Sequence, residues 1–186
     1  MKLLFRPLGW SLSLVGFCLV GIAASPVLAE KNVFTETFNI PSVTCEGLSL
    51  NGVLYSFTVA GSPSLDCVAG TSFGPGFTNN IQAPNIEGNA SGTLQLIFDK
   101  PTTDFGFGVA QNTSTAPQSV IVELYRPGAG LLRGEVVLTT TNDPSFVGGR
   151  FSYQGPAVKS VTIRFTRPGE RFAVDNVSYF RPPSKT

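Results

Sequence analysis

The chain has 186 residues with a formal charge of +1, and only 13% of them are charged. Twenty Gly and fourteen Pro punctuate it, which suits a turn-rich β protein and argues against a helical bundle. Histidine is absent, so His-based triads and His-ligated metal centres are excluded.

Lys2 and Arg6 open the chain, and no charge follows until Glu30. The apolar run ends in Val27-Leu28-Ala29, a small-residue ending that predicts a signal peptide over 1–29, cut after Ala29. The same run is long enough to span a bilayer, so membrane attachment is expected only if the leader stays uncleaved. Cleavage would remove the single Trp, Trp10, and the odd cysteine, Cys18. It would also take Lys2 and Arg6 from the 13 basic residues, leaving 11 against 12 acidic ones, a charge of −1. Nothing in that balance attracts nucleic acid. The address is therefore secreted or periplasmic.

Cys45 and Cys67 remain, and an even pair in an oxidising compartment reads as one disulfide. A redox or metal thiol pair is disfavoured, because no CxxC spacing and no further Cys or His completes such a site.

Along residues 30–180 apolar side chains alternate with polar ones at period 2, the signature of half-buried strands. Candidate strands, in chain order, are Val33–Phe38, Leu54–Val59, Leu94–Phe98, Phe105–Val109, Val120–Tyr125, Glu135–Thr139, Arg150–Tyr153, Val161–Phe165 and Phe172–Tyr179. Turns are predicted at Asp99-Lys100-Pro101, Arg126-Pro127-Gly128, Asn142-Asp143-Pro144, Gly155-Pro156 and Arg167-Pro168-Gly169. Nine short strands without helices predict an all-β fold, an antiparallel two-sheet β-sandwich of jelly-roll type, with a closed barrel as the nearest alternative. Residues 60–92 read as a long Gly-rich connection, a surface for a ligand or partner or merely a stapled loop. The tail 181–186 reads as disordered.

In Phe172-Ala173-Val174-Asp175-Asn176-Val177-Ser178-Tyr179 the apolar phase changes at Asp175-Asn176. A β-bulge there would send Phe172, Val174, Val177 and Tyr179 to one core and hold the Asp175 carboxylate near the sheet, in need of donors or a cation.

This closing block resembles the ending of secreted bacterial jelly-roll modules, those of PEP-CTERM proteins and carbohydrate-binding-module-like sandwiches. The likeness extends upstream through Gly92–Pro101, Asp104–Phe107, Val120–Tyr125, Phe146–Tyr153 and Val161–Phe165. No Pro-Glu-Pro, apolar span and terminal Arg cluster follow, so the resemblance implies a free secreted relative. It further implies that Asp175, with Glu36 of the first strand, holds a structural Ca²⁺; the alternative is that Asp175 caps backbone N–H groups.

Sugar contacts usually need exposed aromatics, which makes Tyr125 with Arg126 and Tyr153 with Gln154 the candidate ligand-binding pairs. Glu36, Glu46, Asp66, Glu87, Asp99, Asp104, Glu123 and Glu135 could in principle supply a carboxylate pair for glycoside hydrolysis. Their contexts read instead as solvated surface, and no His is present to activate a serine hydroxyl, so no catalytic residues are expected. Arg164, Arg167, Arg171 and Arg181 read as a solvated outer face. Sequons occur at Asn89, Asn112 and Asn176, meaningful only in a eukaryotic host. The expectation is a non-catalytic interaction or structural module of the envelope or matrix. The alternatives are a carbohydrate-binding module with structural calcium and a polysaccharide-acting enzyme. Its partner would be a polysaccharide or an envelope or matrix protein.

Overall fold

The computed structural model describes residues 33–72, 80–112, 120–128, 130–138, 141–143 and 146–180, with the backbone alone over 131–147. The predicted leader 1–29 and tail 181–186 lie outside the described residues. Among the described residues there is no helix; thirteen strands follow one another. They are β1 (Val33–Glu36), β2 (Val43–Thr44), β3 (Ser49–Leu50), β4 (Val53–Val59), β5 (Ser62–Pro63), β6 (Cys67–Thr71) and β7 (Asn85–Asn89), then β8 (Gly92–Gln111), β9 (Val120–Tyr125), β10 (Leu131–Leu138), β11 (Thr141–Asp143), β12 (Phe146–Phe165) and β13 (Arg171–Phe180).

All the ladders are antiparallel, and they fold into two layers because β8 and β12 serve both. In one layer the first half of β8 lies between β4 and the second half of β12, with β9 and β10 beyond. In the other, the first half of β12 pairs with the second half of β8, followed by β13, β7, β6 and β2. Both long strands turn the corner together: the β8–β12 register slips between Gln154 and Val158 and again between Val158 and Ser160. This is where Asp99-Lys100-Pro101 and Gly155-Pro156 stand, so two of the predicted turns are bends inside continuous strands. Proline, lacking an N–H, is tolerated at such an irregularity.

Aromatic rings fill the space between the layers. Phe57 of β4 and Phe165 of β12 meet Phe172 of β13 at centroid distances of 5.8 and 3.8 Å, and Phe98 meets Phe105 at 5.4 Å. Phe57, Phe98, Phe105, Phe165 and Phe172 are all buried. The cross-layer packing, not closure of one sheet, makes this a sandwich.

Residues 60–92 are not one long connection. They contain β5, β6 and β7, and β6 and β7 extend the second layer outward from β13. Their Gly and Asn residues weaken the apolar alternation, but backbone pairing does not need side chains. Cys45 is disulfide-bonded to Cys67 at the start of β6, with 5.3 Å between the Cα atoms. At the β3–β4 hairpin Asn51 and Gly52 have φ of 49° and 85°, the left-handed pair that a two-residue hairpin turn demands.

The bulge predicted in β13 is present. Asp175 pairs with Gly108 and Ser178 with Gly106, so β13 spends three steps where β8 spends two, and Asn176 adopts φ 51°. Phe172, Val174, Val177 and Tyr179 all join the main core. The other edge of β13 changes partner at the same place, from β7 at residues 171–174 to β1 at 177–180.

Candidate binding face

In the first layer, buried and half-buried residues alternate strictly along β8, β9 and β12, so the half-buried set forms the layer's outer face. The registers align that set into rows across four strands. Leu54 lies opposite Ile97, Ile97 opposite Ser160, and Ser160 opposite Tyr125. The next row is Ser56, Gln95, Thr162 and Glu123, and the third is Thr58, Thr93, Arg164 and Ile121. With neighbouring strands ~4.8 Å apart, each row is about 15 Å long.

Hydrogen bonds organise the middle of this face. The Tyr125 hydroxyl donates to Glu123 Oε2 at 3.1 Å, and Thr162 Oγ1 donates to the same oxygen at 2.9 Å. Ser56 Oγ donates to Gln95 Oε1 at 3.4 Å. Burial, together with the Glu123 carboxylate, raises the Tyr125 pKa, outweighing the opposing effects of Thr162 and Arg164. The phenol is therefore held protonated as a donor. Gln95, Tyr125, Ser160 and Thr162 line a shallow depression of about 260 Å³. A second depression, of about 270 Å³, is lined by Ser49, Gly52, Leu54, Ile97, Phe98, Asp99 and Lys159. The two are adjacent, because Ile97 of one is the Cα partner of Ser160 in the other.

Of the four candidate ligand residues, Tyr125 lines this face and Arg126 stands exposed at its end, in the turn where its N–H donates to the Gly130 carbonyl at 2.8 Å. Tyr153 is elsewhere: it is 6% exposed in the core, and its hydroxyl donates to the Pro156 carbonyl at 2.7 Å. Gln154 is exposed on the second layer, where Nε2 donates to Asp104 Oδ2 at 3.2 Å. The two pairs thus do not converge. Gln95, Glu123, Ser160 and Thr162 were visible in the sequence only as the polar members of alternating strands; their convergence depends on which strands are neighbours.

Asp175 is 1% exposed. Its Oδ2 accepts the Gln82 N–H at 2.8 Å and the Asn176 side-chain amide at 3.2 Å, while Oδ1 has no hydrogen-bond partner among the described residues. Burial raises its pKa; the Gln82 and Asn176 hydrogen bonds oppose this, and the nearby Glu36 charge adds to it. Glu36, also buried, accepts the Thr37 and Phe38 N–H groups on Oε1 and the Asn51 amide on Oε2. Two buried acids in each other's field, one with an unpaired oxygen, fit a cation that prefers oxygen ligands. Among the described residues no third acidic or Cys side chain joins them. Any further ligands would be carbonyls or water.

Asp175 also anchors a strap. Residues 80–84 cross the outer side of the second layer, with Asn80 O accepting from the Asn176 amide at 3.3 Å and Ile81 packed in a cluster with Ala110 and Ala173. A Cβ on Gly108 would lie 1.9 Å from the Asn80 carbonyl oxygen, so only glycine admits the strap there.

No family profile and no curated protein matches this chain. Among solved structures it is similar to the K2 cleaved adhesin domain of Lys-gingipain, at 16% identity over 81% of this chain and 99% of that one, TM-score 0.47. It is also similar to a mutant family 29 carbohydrate-binding module complexed with mannohexaose, at 11% identity over 80% of this chain and 91% of that one, TM-score 0.46. A third is the CBM22-1–GH10 portion of a Clostridium thermocellum endo-1,4-β-D-xylanase complexed with xylohexaose, at 12% identity over 83% of this chain and 29% of that one, TM-score 0.40. These likenesses are distant, and the sandwich assignment stands on the ladders and inter-layer ring contacts above.

Proposed function

We propose that this protein is a secreted, non-catalytic β-sandwich that binds a neutral oligosaccharide on the outer face of its first layer. The observation that carries the reading is the row structure of that face: one half-exposed phenol flanked by hydroxyl, amide and carboxylate groups from three adjacent strands. Sugar recognition asks for this combination, an aromatic surface for C–H groups with polar side chains to meet hydroxyls. Glu123 is already engaged by Tyr125 and Thr162. It orients the two donors and is read here as part of the binding surface, not as a catalytic acid. The apolar leader and the Cys45–Cys67 bond support export to an oxidising compartment. Asp175 Oδ1 with Glu36 would hold a structural Ca²⁺, tying the first strand to the last.

Affinity electrophoresis of the full-length protein in glucomannan, xylan and hydroxyethylcellulose gels tests the reading. Retardation in at least one gel is expected, with Tyr125→Ala weakening it about tenfold, or ~1.4 kcal/mol. Unretarded migration in all three, with the protein folded, would refute it and leave a protein partner as the occupant of this face.

A further inference from the structure

The two depressions on the first layer differ in chemistry. Around Tyr125 the lining is hydroxyl and amide; one strand further on, the floor is Leu54 and Ile97. Leu54 is 41% exposed, one of few large apolar side chains among the described residues so open to solvent. The apolar patch is bounded by Asp99 and Lys159, and neither is free to fold over it. Lys159 Nζ donates to the Phe98 and Asp99 carbonyls at 2.5 and 3.1 Å. The Asp99 carboxylate accepts the Lys100 N–H at 2.9 Å and packs on Gly52, where a Cβ would sit 2.6 Å from Oδ1. The polar rim is thus pinned by the corner of β8, leaving a fixed apolar hollow.

At about 270 Å³ this hollow is smaller than the ~300–1,000 Å³ pockets that enclose drug-sized ligands, and it holds one small group. An unsubstituted sugar would present hydroxyls to Leu54 and Ile97 and desolvate them without partners. A methyl group would cover the same surface favourably. Resting on the oligosaccharide reading above, the geometry points to a glycan that carries a methyl-bearing substituent, an O-acetyl group or the methyl of a 6-deoxy sugar, seated on Leu54 and Ile97 while units further along the same chain meet Gln95, Thr162 and Tyr125. Row spacing sets the distance between the two parts: Leu54 to Tyr125 spans three inter-strand gaps, about 15 Å.

The test compares matched ligands by isothermal titration of the full-length protein. One arm uses acetylated and alkali-deacetylated glucomannan oligosaccharides; the other uses fucosylated and enzymatically defucosylated xyloglucan oligosaccharides. The substituted member of at least one pair should bind about fourfold more tightly, the effect of one buried methyl. The responding arm identifies the source of the methyl. Leu54→Ser should abolish that preference, so that the two members of the responding pair bind alike, and Ile97→Thr provides a second variant should the first fold poorly. Equal affinity within both pairs would overturn this inference and leave oligosaccharide binding standing. A preference that survives both variants would also overturn it. Binding to none of the four would remove both readings together.

Discussion

Replacing both cysteines, as Cys45→Ala with Cys67→Ala, tests how much the single cross-link contributes. The bond closes a loop of 22 positions. Loop closure of that length removes about 11 cal/mol/K from the unfolded chain, or about 3 kcal/mol at 25 °C. The native side should change little, because the pairing there does not depend on sulfur. The Cys45 N–H donates to the Cys67 carbonyl at 2.9 Å, and Val43 and Thr44 pair with Ala69 and Val68 on the adjoining ladder. Both cysteines are fully buried, so the lost sulfur volume adds a small cavity cost to the entropic one. Thermal unfolding should fall by about 6–12 °C for a domain of this size. Urea unfolding should show a larger m-value, since the unfolded chain expands when the link is gone. A loss below about 1 kcal/mol, with a native-like far-UV spectrum, would refute the loop-entropy account.

Three further outcomes follow from the geometry. Gly108→Ala should cost about 1–3 kcal/mol and release the strap, because the new methyl meets a backbone carbonyl; Gly106→Ala, whose nearest neighbours lie at 3.0 and 3.1 Å, should cost less. Equal melting temperatures for the two variants would show that the strap does not press on the sheet. Asp66 governs part of the acid limb: burial would raise its pKa, but the Arg171 and Asn89 hydrogen bonds and the Arg171 charge outweigh that and hold it below the ordinary aspartate value. Its contribution is present above the unfolded pKa and is lost as pH falls below the ordinary aspartate value and through the lower folded one. The Asp66 and Arg171 side chains are 46% and 36% exposed, so Asp66→Asn should flatten the acid limb of the stability curve by no more than ~1 kcal/mol. An unchanged acid limb would contradict the assignment. Saturating Ca²⁺ at a hundred times its Kd should add about 2.7 kcal/mol, or roughly 5–10 °C, relative to EDTA, and Asp175→Asn should erase the response. Identical melting curves in Ca²⁺ and EDTA would remove the metal from the account.

The strands and their phase were legible in the sequence because alternation is a local property of each strand. Leu94, Leu96 and Phe98 announce their inward face whatever lies beside them, and the phase change at Asp175-Asn176 announces the bulge. The disulfide was legible for a similar reason, two cysteines having only each other. The binding face was not, because Tyr125, Thr162 and Gln95 are brought together by ladders between residues dozens of positions apart. The same holds for Asp99-Lys100-Pro101 and Gly155-Pro156. Locally they spell turns, yet each is a bend in an unbroken strand, since the neighbouring strand bends with it and the pairing resumes on the far side of the slip. Residues 60–92 make the point in reverse: with few large apolar side chains to mark a phase, β6 and β7 exist through hydrogen bonds supplied by β13 and by each other. Periodicity sets what a segment can be, whereas register sets what it meets. The register here is held by packed Phe rings between two layers, which no window of sequence contains.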